Sequence, residues 1–263
     1  MNTLRALYDE IGRGYDDSRR ADPYIADRLF HLLDAQRDDL VLDVACGTGN
    51  YTAALRSRYL KIFGIDLSAR MLSAARQKGL GGRIALANVE QLPFSDETFS
   101  RALCALATHH FADLLISFKE IMRVVSRGKL VIFTSTPEQM QGYWLNEYFP
   151  VAIRDSITQM PTLDVTTTAL EQAGFVDITT EIYDVRPDLQ DHFLYSGKHA
   201  PERYLDDLFR YRISTFSSLA DPVEVQEGCL KLSRDIETGN VNNVINSYRH
   251  DQGDYLFVIA EIA

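Results

Sequence analysis

Three stretches of this chain hold residues whose types and spacing can do chemistry. Val41-Leu42-Asp43-Val44-Ala45-Cys46-Gly47-Thr48-Gly49 passes from an apolar run into a glycine turn. Glycines there leave the main chain uncovered, so a ligand can approach bare backbone where a buried strand ends. Gly64-Ile65-Asp66-Leu67-Ser68 closes a second apolar run with an acid. The Asp66 carboxylate can accept hydrogen bonds from both hydroxyls of a ribose. The competing role, capping the next helix, falls more naturally to Ser68. Thr108-His109-His110-Phe111 sets two imidazoles after a further apolar run. Histidine exchanges protons near neutral pH, so either is a candidate general base. The alternative is that one caps the helix that follows while the other packs.

For these stretches to meet, they must leave the same edge of one sheet. Leu40 to Val44, Lys61 to Ile65, Arg83 to Ala87, Phe99 to Ala107 and Lys129 to Ser135 read as buried strands. Helices fit between them at Asn50 to Arg58, after Ser68 and at Leu114 to Val125, and such alternation implies a parallel sheet. Leu163 to Ala173 reads as a further helix stopped by Gly174, and Val176 to Val185 and Asp254 to Ile262 as two closing strands. The fold class expected is α/β, a doubly wound, Rossmann-like, mostly parallel seven-stranded sheet with a helical cap inserted late in the chain. The core takes residues 37–136, 162–185 and 251–263. Residues 1–36 form an N-terminal helical segment, opened by Asp22-Pro23, and the insertions are 137–161 and 186–250. In the second insertion Asp221, Pro222 and Glu224 spell a capped helix start with a capping box, and Gly239 a stop.

Composition narrows the partners. The chain has 263 residues with 37 Asp and Glu against 27 Lys and Arg, a net charge of −10. No long basic cluster offers a footprint for a nucleic-acid backbone, which makes nucleic acid a disfavoured partner. No apolar run approaches a membrane span, and the N-terminus lacks a secretory h-region, so the expectation is a cytoplasmic protein. Cys46, Cys104 and Cys229 lack disulfide or metal spacing, and no metal is expected.

The glycine loop with Asp66 also fits a nicotinamide dehydrogenase. That fingerprint wants a small residue three positions after Gly49, where this chain has Thr52. Leu42 to Gly49 instead resembles the first motif of class I S-adenosylmethionine-dependent methyltransferases, in particular the group similar to ubiquinone and menaquinone methyltransferases (methyltransferase type 11). Asn88-Val89-Glu90-Gln91-Leu92-Pro93-Phe94-Ser95-Asp96-Glu97-Thr98-Phe99 resembles the family's loop after the third strand. Ile121-Met122-Arg123-Val124-Val125 resembles its helix before the fifth, and Tyr15-Asp16 its N-terminal signature. The resemblance covers about residues 8 to 136. It implies S-adenosylmethionine as cofactor, with Asp43, Ala45, Gly47 and Gly49 around the methionine portion, Asp66 and Leu67 at the ribose, and Asn88 and Val89 at the adenine. Asn88 can accept from an adenine amino group, and the Val89 N–H can donate to a ring nitrogen. Two positions depart from the family pattern: Ala45 replaces a common glycine and is tolerable only at negative φ, and Asn88 replaces an aspartate. Met71 either packs on the adenine or belongs to the core. Tyr15 and Arg20 are candidates to close over the cofactor, Arg20 by pairing with a carboxylate.

The insertions are rich in aromatics, among them Tyr143, Trp144 and Tyr195. These are candidates to enclose a flat, apolar or cationic acceptor, and equally to form the cap's own core. The leading expectation is methyl transfer to a small-molecule acceptor by in-line displacement. RNA or protein methylation and cofactor binding without catalysis are the alternatives, and oligomeric state is not legible.

Overall fold

The computed structural model describes residues 19–58 and 61–262. Within them, β1 (Leu40–Val44), β2 (Lys61–Asp66), β3 (Ile84–Leu86), β4 (Arg101–Ala105), β5 (Gly128–Thr134), β6 (Val176–Tyr183) and β7 (Tyr255–Ile262) make one sheet. The spatial order is β3-β2-β1-β4-β5-β7-β6. β1 to β5 pair in parallel and β7 runs antiparallel between β5 and β6. This is the doubly wound, mostly parallel sheet expected. Its order reverses between β1 and β4, and at such a switch point the loops leaving neighbouring strands diverge and leave a crevice.

Alternating residues on each strand feed two apolar layers, as the period of two demands. Leu42, Val44, Cys104, Leu130, Ile132 and Val258 face one layer, which α4 (Leu114–Val124) and α7 (Leu163–Ala173) cover through Phe118, Ile121 and Leu170. Val41, Leu103, Val131, Phe133 and Phe257 face the other, packed against Leu29 and Leu33 of α1 (Pro23–Leu33). The aromatics of residues 137–161 and 186–250 join this second layer: Phe133 lies 6.2 Å from Phe193 and 5.6 Å from Tyr255, ring to ring.

Local chemistry sets the helix starts. Asp22 accepts from the amides of Tyr24 and Ile25 ahead of α1, Ser68 from Met71 ahead of α3 (Ala69–Ala75), and Asp113 from Ile116 ahead of α4. Thr136 and Gln139 form a reciprocal capping box on α5 (Pro137–Gln141). β4 is shorter than expected, because Leu106 turns to φ 55° and ends it. The capping box expected at Glu224 is a correction. Asp221 alone caps α9 (Pro222–Thr238), while the Glu224 carboxylate accepts from Val151 N (2.6 Å) and Ala152 N (3.1 Å) at the start of α6 (Pro150–Ile157). No side chain of α6's own N-cap residue, Phe149, makes that bond. An acid from residues 186–250 thus caps a helix of residues 137–161.

Among the described residues no helix is long and apolar enough to cross a membrane, and no cluster of potential metal ligands occurs.

Losing a helix cap costs about 1 kcal/mol, or about 2–4 °C in Tm for a chain of this size. Glu224→Ala is expected to lower Tm by that amount in thermal denaturation, with Glu224→Gln intermediate. An unchanged Tm would separate Glu224 from the stability of α6.

Candidate functional site

The glycine turn after β1 is built from three successive constraints. Ala45 and Gly47 both adopt left-handed backbone, φ 55° and 56°. The Gly47 amide donates to Asp66 Oδ2 at 2.8 Å, tying the end of β1 to the end of β2. Lys78 Nζ then holds the rest of the loop, donating to Thr48 O (2.9 Å), Thr48 Oγ1 (3.0 Å) and Asn50 Oδ1 (2.6 Å). Ala45 contradicts the expectation of a negative φ: the turn imposes a conformation that glycine adopts freely, which accounts for the glycine at the matching family position.

Beneath the turn lies Asp43, 2% exposed. Burial pushes its carboxyl up to about 7, against the hydrogen bond from Thr52 Oγ1 at 2.5 Å, which favours the charged form. Thr52, the residue that departs from the dinucleotide fingerprint, therefore serves as the partner of a buried acid.

Above the turn, a cleft of about 1250 Å³, its open mouth included, follows the carboxyl ends of β1, β2 and β4. Its walls include Ala45, Gly47, Asp66, Leu67, Met71, Asn88 and Val89 of the expected cofactor residues. Burial raises the Asp66 carboxyl above its usual range, opposed by hydrogen bonds from the Ser68 and Gly47 amides. Asn88 Oδ1 accepts from Glu90 N at 3.1 Å, which presents the following loop to the cleft. Met71 is 3% exposed and also lines the cleft, so it is core and wall at once.

Other expected residues are elsewhere. Asp43 and Gly49 do not line the cleft. Gly49 is a packing glycine, since a Cβ there would sit 2.4 Å from Leu80 Cδ1. Arg20 is exposed, and its neighbour Arg19 takes the wall position. Tyr15 lies outside the described residues. Arg19 is bound to Asp191, a carboxylate 1% exposed that also accepts from Tyr51 Oη at 3.1 Å. The Arg19 carbonyl accepts from Asn50 Nδ2 at 2.8 Å. This network spans up to 172 residues of chain, a separation at which sequence carries no pairing signal.

The two histidines occupy a 3₁₀ turn, Thr108–His110. Neither caps α4, the role taken by Asp113. Their rings lie 3.8 Å apart. Burial pushes His109 down to about 4 and, with the neighbouring His109, takes His110 well below the ordinary imidazole value. His110 lines the cleft and also a second cavity of about 760 Å³, mouth included. Arg19 and Leu106 are shared in the same way. His109, Ser135, His192 and Arg212 line the second cavity and not the cleft, and of these His192 and Arg212 carried no signal in the sequence beyond their type.

Tyr143, Trp144 and Tyr195, expected at the acceptor, are corrected to core. They are 0%, 1% and 2% exposed. Tyr143 stacks on Tyr195 at 4.0 Å and 8°, and its hydroxyl donates to Asp254 O at 2.6 Å. Trp144 Nε1 donates to Lys198 O at 3.2 Å. With their polar atoms satisfied inside the protein, none lines either cavity.

A doubly wound sheet with a reversed seventh strand, bearing a cleft at its switch point floored by a glycine turn and an acid, is the architecture that the resemblance to class I S-adenosylmethionine-dependent methyltransferases implies. Residues 42–133 match the family described as "Methyltransferase domain". Malonyl-[acyl-carrier protein] O-methyltransferase of Salmonella typhimurium is 31% identical over 145 residues, 53% of this chain and 58% of that protein. Demethylmenaquinone methyltransferase of Chlorobaculum parvum is 26% identical over 204 residues, 66% of this chain and 85% of that protein. The chain thus spans less than two thirds of the first relative's length. A solved structure of a putative methyltransferase from an antibiotic biosynthesis pathway of Anabaena variabilis aligns with TM-score 0.81 at 27% identity, covering 92% of this chain and 98% of that one.

Left-handed backbone at a non-glycine residue costs about 1–2 kcal/mol, partly offset by glycine's greater freedom when unfolded. Ala45→Gly is therefore expected to raise unfolding stability by about 0.5–1 kcal/mol in denaturant titration, and a loss of stability would contradict the strained turn. Asp43 gives a pH signature. Its folded pKa of about 7 lies above the unfolded value of 3.8, so its contribution is full below about 4 and declines as pH rises through about 7. The Tm of Asp43→Asn relative to wild type is expected to climb between pH 5 and 8. A constant difference would show that the carboxyl is ionised throughout.

Proposed function

We propose that this chain transfers a methyl group from S-adenosylmethionine to a small-molecule acceptor held in the second cavity. The observation that carries the reading is the adjacency of the two cavities, which share Arg19, Leu106 and His110 at the switch point of the sheet. One site takes the cofactor and the other the acceptor, with their contents meeting at that wall. The printed names of the relatives, malonyl-[acyl-carrier protein] O-methyltransferase and demethylmenaquinone methyltransferase, support a small acceptor group, carrier-linked in the first and a quinone in the second.

The residues present fit the cofactor. The Asp66 carboxylate, whose oxygens accept one backbone amide each, keeps lone pairs for the ribose hydroxyls. Asn88 and Val89 face the adenine, and the uncovered backbone at Ala45 and Gly47 the methionine portion. When bound, S-adenosylmethionine supplies an electrophilic methyl group. The protein's part is to align the acceptor and exclude water. Residues 37–136, 162–185 and 251–263 form the catalytic core, and residues 137–161 and 186–250 cap the acceptor side. His110 is a positioning residue at the shared wall. A histidine held well below neutrality is a weak proton acceptor at pH 7, so an acceptor that must lose a proton binds already ionised, its proton having gone to solvent.

Isothermal titration with S-adenosylhomocysteine tests the cofactor half. Charged hydrogen bonds of this kind are worth about 1.5–3 kcal/mol each, so Asp66→Ala is expected to weaken binding at least about tenfold. Absence of heat and of any thermal shift with folded wild-type protein would contradict the reading.

A further inference from the structure

One side of the cleft is walled by residues that come from outside the loops of the sheet. In the spatial order of the strands, Asn88 follows β3, Asp66 ends β2, Gly47, Thr48 and Tyr51 follow β1, and Leu106 follows β4. The cleft therefore runs from an adenine side at β3 to an opposite side at β1 and β4. Arg19 and Asp191 stand on that opposite side. Arg19 shares the wall of the second cavity with Leu106 and His110, and its carbonyl accepts from Asn50 Nδ2. Asp191 belongs to residues 186–250, and the residues that follow it, His192, Phe193 and Leu194, line the second cavity. A single short segment thus walls both spaces.

The two charged side chains of this side differ in what they face. Arg19 is the only lysine or arginine lining the cleft among the described residues. Its side chain is 17% exposed and that of Asp191 2%, so the guanidinium faces the cleft and the carboxylate lies behind it. Arg19 donates through Nε to Asp191 Oδ1 and through Nη2 to Oδ2 at 3.2 Å, and Tyr51 Oη donates to Oδ2 at 3.1 Å. A two-pronged bond of this kind fixes the plane of a guanidinium as well as its position. The segment is itself pinned next door, where Gln190 N donates to Asp22 Oδ2 at 3.0 Å. Asp191 balances the charge of Arg19, so the pair contributes direction and shape rather than net charge.

Resting on the methyltransferase reading above, we propose that Asp191 is a positioning residue for the cofactor: through Arg19 and Tyr51 it sets the side of the cleft that takes the amino-acid portion of S-adenosylmethionine. Asp191 acts from behind the wall, and the surfaces offered to the ligand are those of the two side chains it holds. Part of the cofactor affinity is then delivered by residues 186–250. It is the part that distinguishes a ligand with an amino-acid portion from one that ends at the sulfur.

The test compares S-adenosylhomocysteine with 5′-methylthioadenosine, which has the same adenine, ribose and thioether but no amino-acid portion, by isothermal titration of the full-length protein. Wild type is expected to prefer S-adenosylhomocysteine by at least about tenfold. Asp191→Asn should weaken S-adenosylhomocysteine about tenfold and leave 5′-methylthioadenosine within about twofold of wild type. Tyr51→Phe keeps the Arg19–Asp191 pair, and should cost S-adenosylhomocysteine about threefold with 5′-methylthioadenosine unchanged; it carries the test by itself should Asp191→Asn not fold. Equal affinity of wild type for the two ligands, or a preference that survives both substitutions, would overturn the proposal. Parallel loss of both ligands would overturn it as well, since that is what a merely structural Asp191 gives. Failure of folded wild type to bind either ligand would instead sink the methyltransferase reading on which the proposal rests.

Discussion

The hydrogen bond from the Gly47 amide to Asp66 is the constraint on which the site depends. It joins the ends of two adjacent parallel strands, and only a chain that has turned left-handed at residues 45 and 47 can point that amide at the carboxylate. The turn lowers the main chain to form the floor of a cleft, and the acid beside it is positioned by its own backbone contacts rather than by the ligand. Lys78 and Asn50 extend the clamp into the first turn of α2 (Asn50–Arg56) and across to Arg19. The floor is therefore preorganised, which lowers what cofactor binding must spend on ordering.

A second network joins the cap to this floor. Asp22 caps α1 with one oxygen and accepts from Gln190 N with the other, at 3.0 Å. The next residue, Asp191, takes Arg19 and Tyr51. Residues at the start of the described chain, in the cofactor loop and in the late insertion are thus coupled through two buried carboxylates. Breaking one member leaves the other charge buried and uncompensated, a loss larger than the pair's own net contribution. Arg19 stands in the wall of both cavities, so the network that fastens residues 186–250 also shapes the boundary between them.

The sheet was legible because its signals are local. Apolar runs of the right length, caps such as Ser68 and Asp22, and stops such as Gly174 each declare an element from a few residues. The cleft wall was legible for the same reason, since Gly47, Asp66, Asn88 and Val89 leave successive strand ends. Asp43 and Gly49 belong to the same motif yet serve packing: spacing identifies the loop but not which side of it each side chain takes. The blocks Asn88 to Phe99 and Ile121 to Val125 occur together because Arg123 binds Leu92 O, Phe94 O and Asp96, a reason visible only in three dimensions. In residues 137–161 and 186–250 composition misled. Tyr143, Trp144 and Tyr195 have the surface to line a pocket or to fill a core, and the buried partners of their hydroxyl and indole groups decide for the core. Arg19 was passed over for Arg20, and Arg212 and His192 went unmarked, because what distinguishes them is contact across long stretches of chain.

We place the cofactor over the Gly47–Asp66 floor with its reactive end toward the wall shared by the two cavities. A crystal structure of the protein soaked with S-adenosylhomocysteine tests it most directly. The ribose hydroxyls are expected on Asp66, the adenine beside Asn88 and Val89, and the sulfur facing Leu106 and His110. Ligand density outside this cleft, or inside it with the adenine turned toward His110, would contradict it.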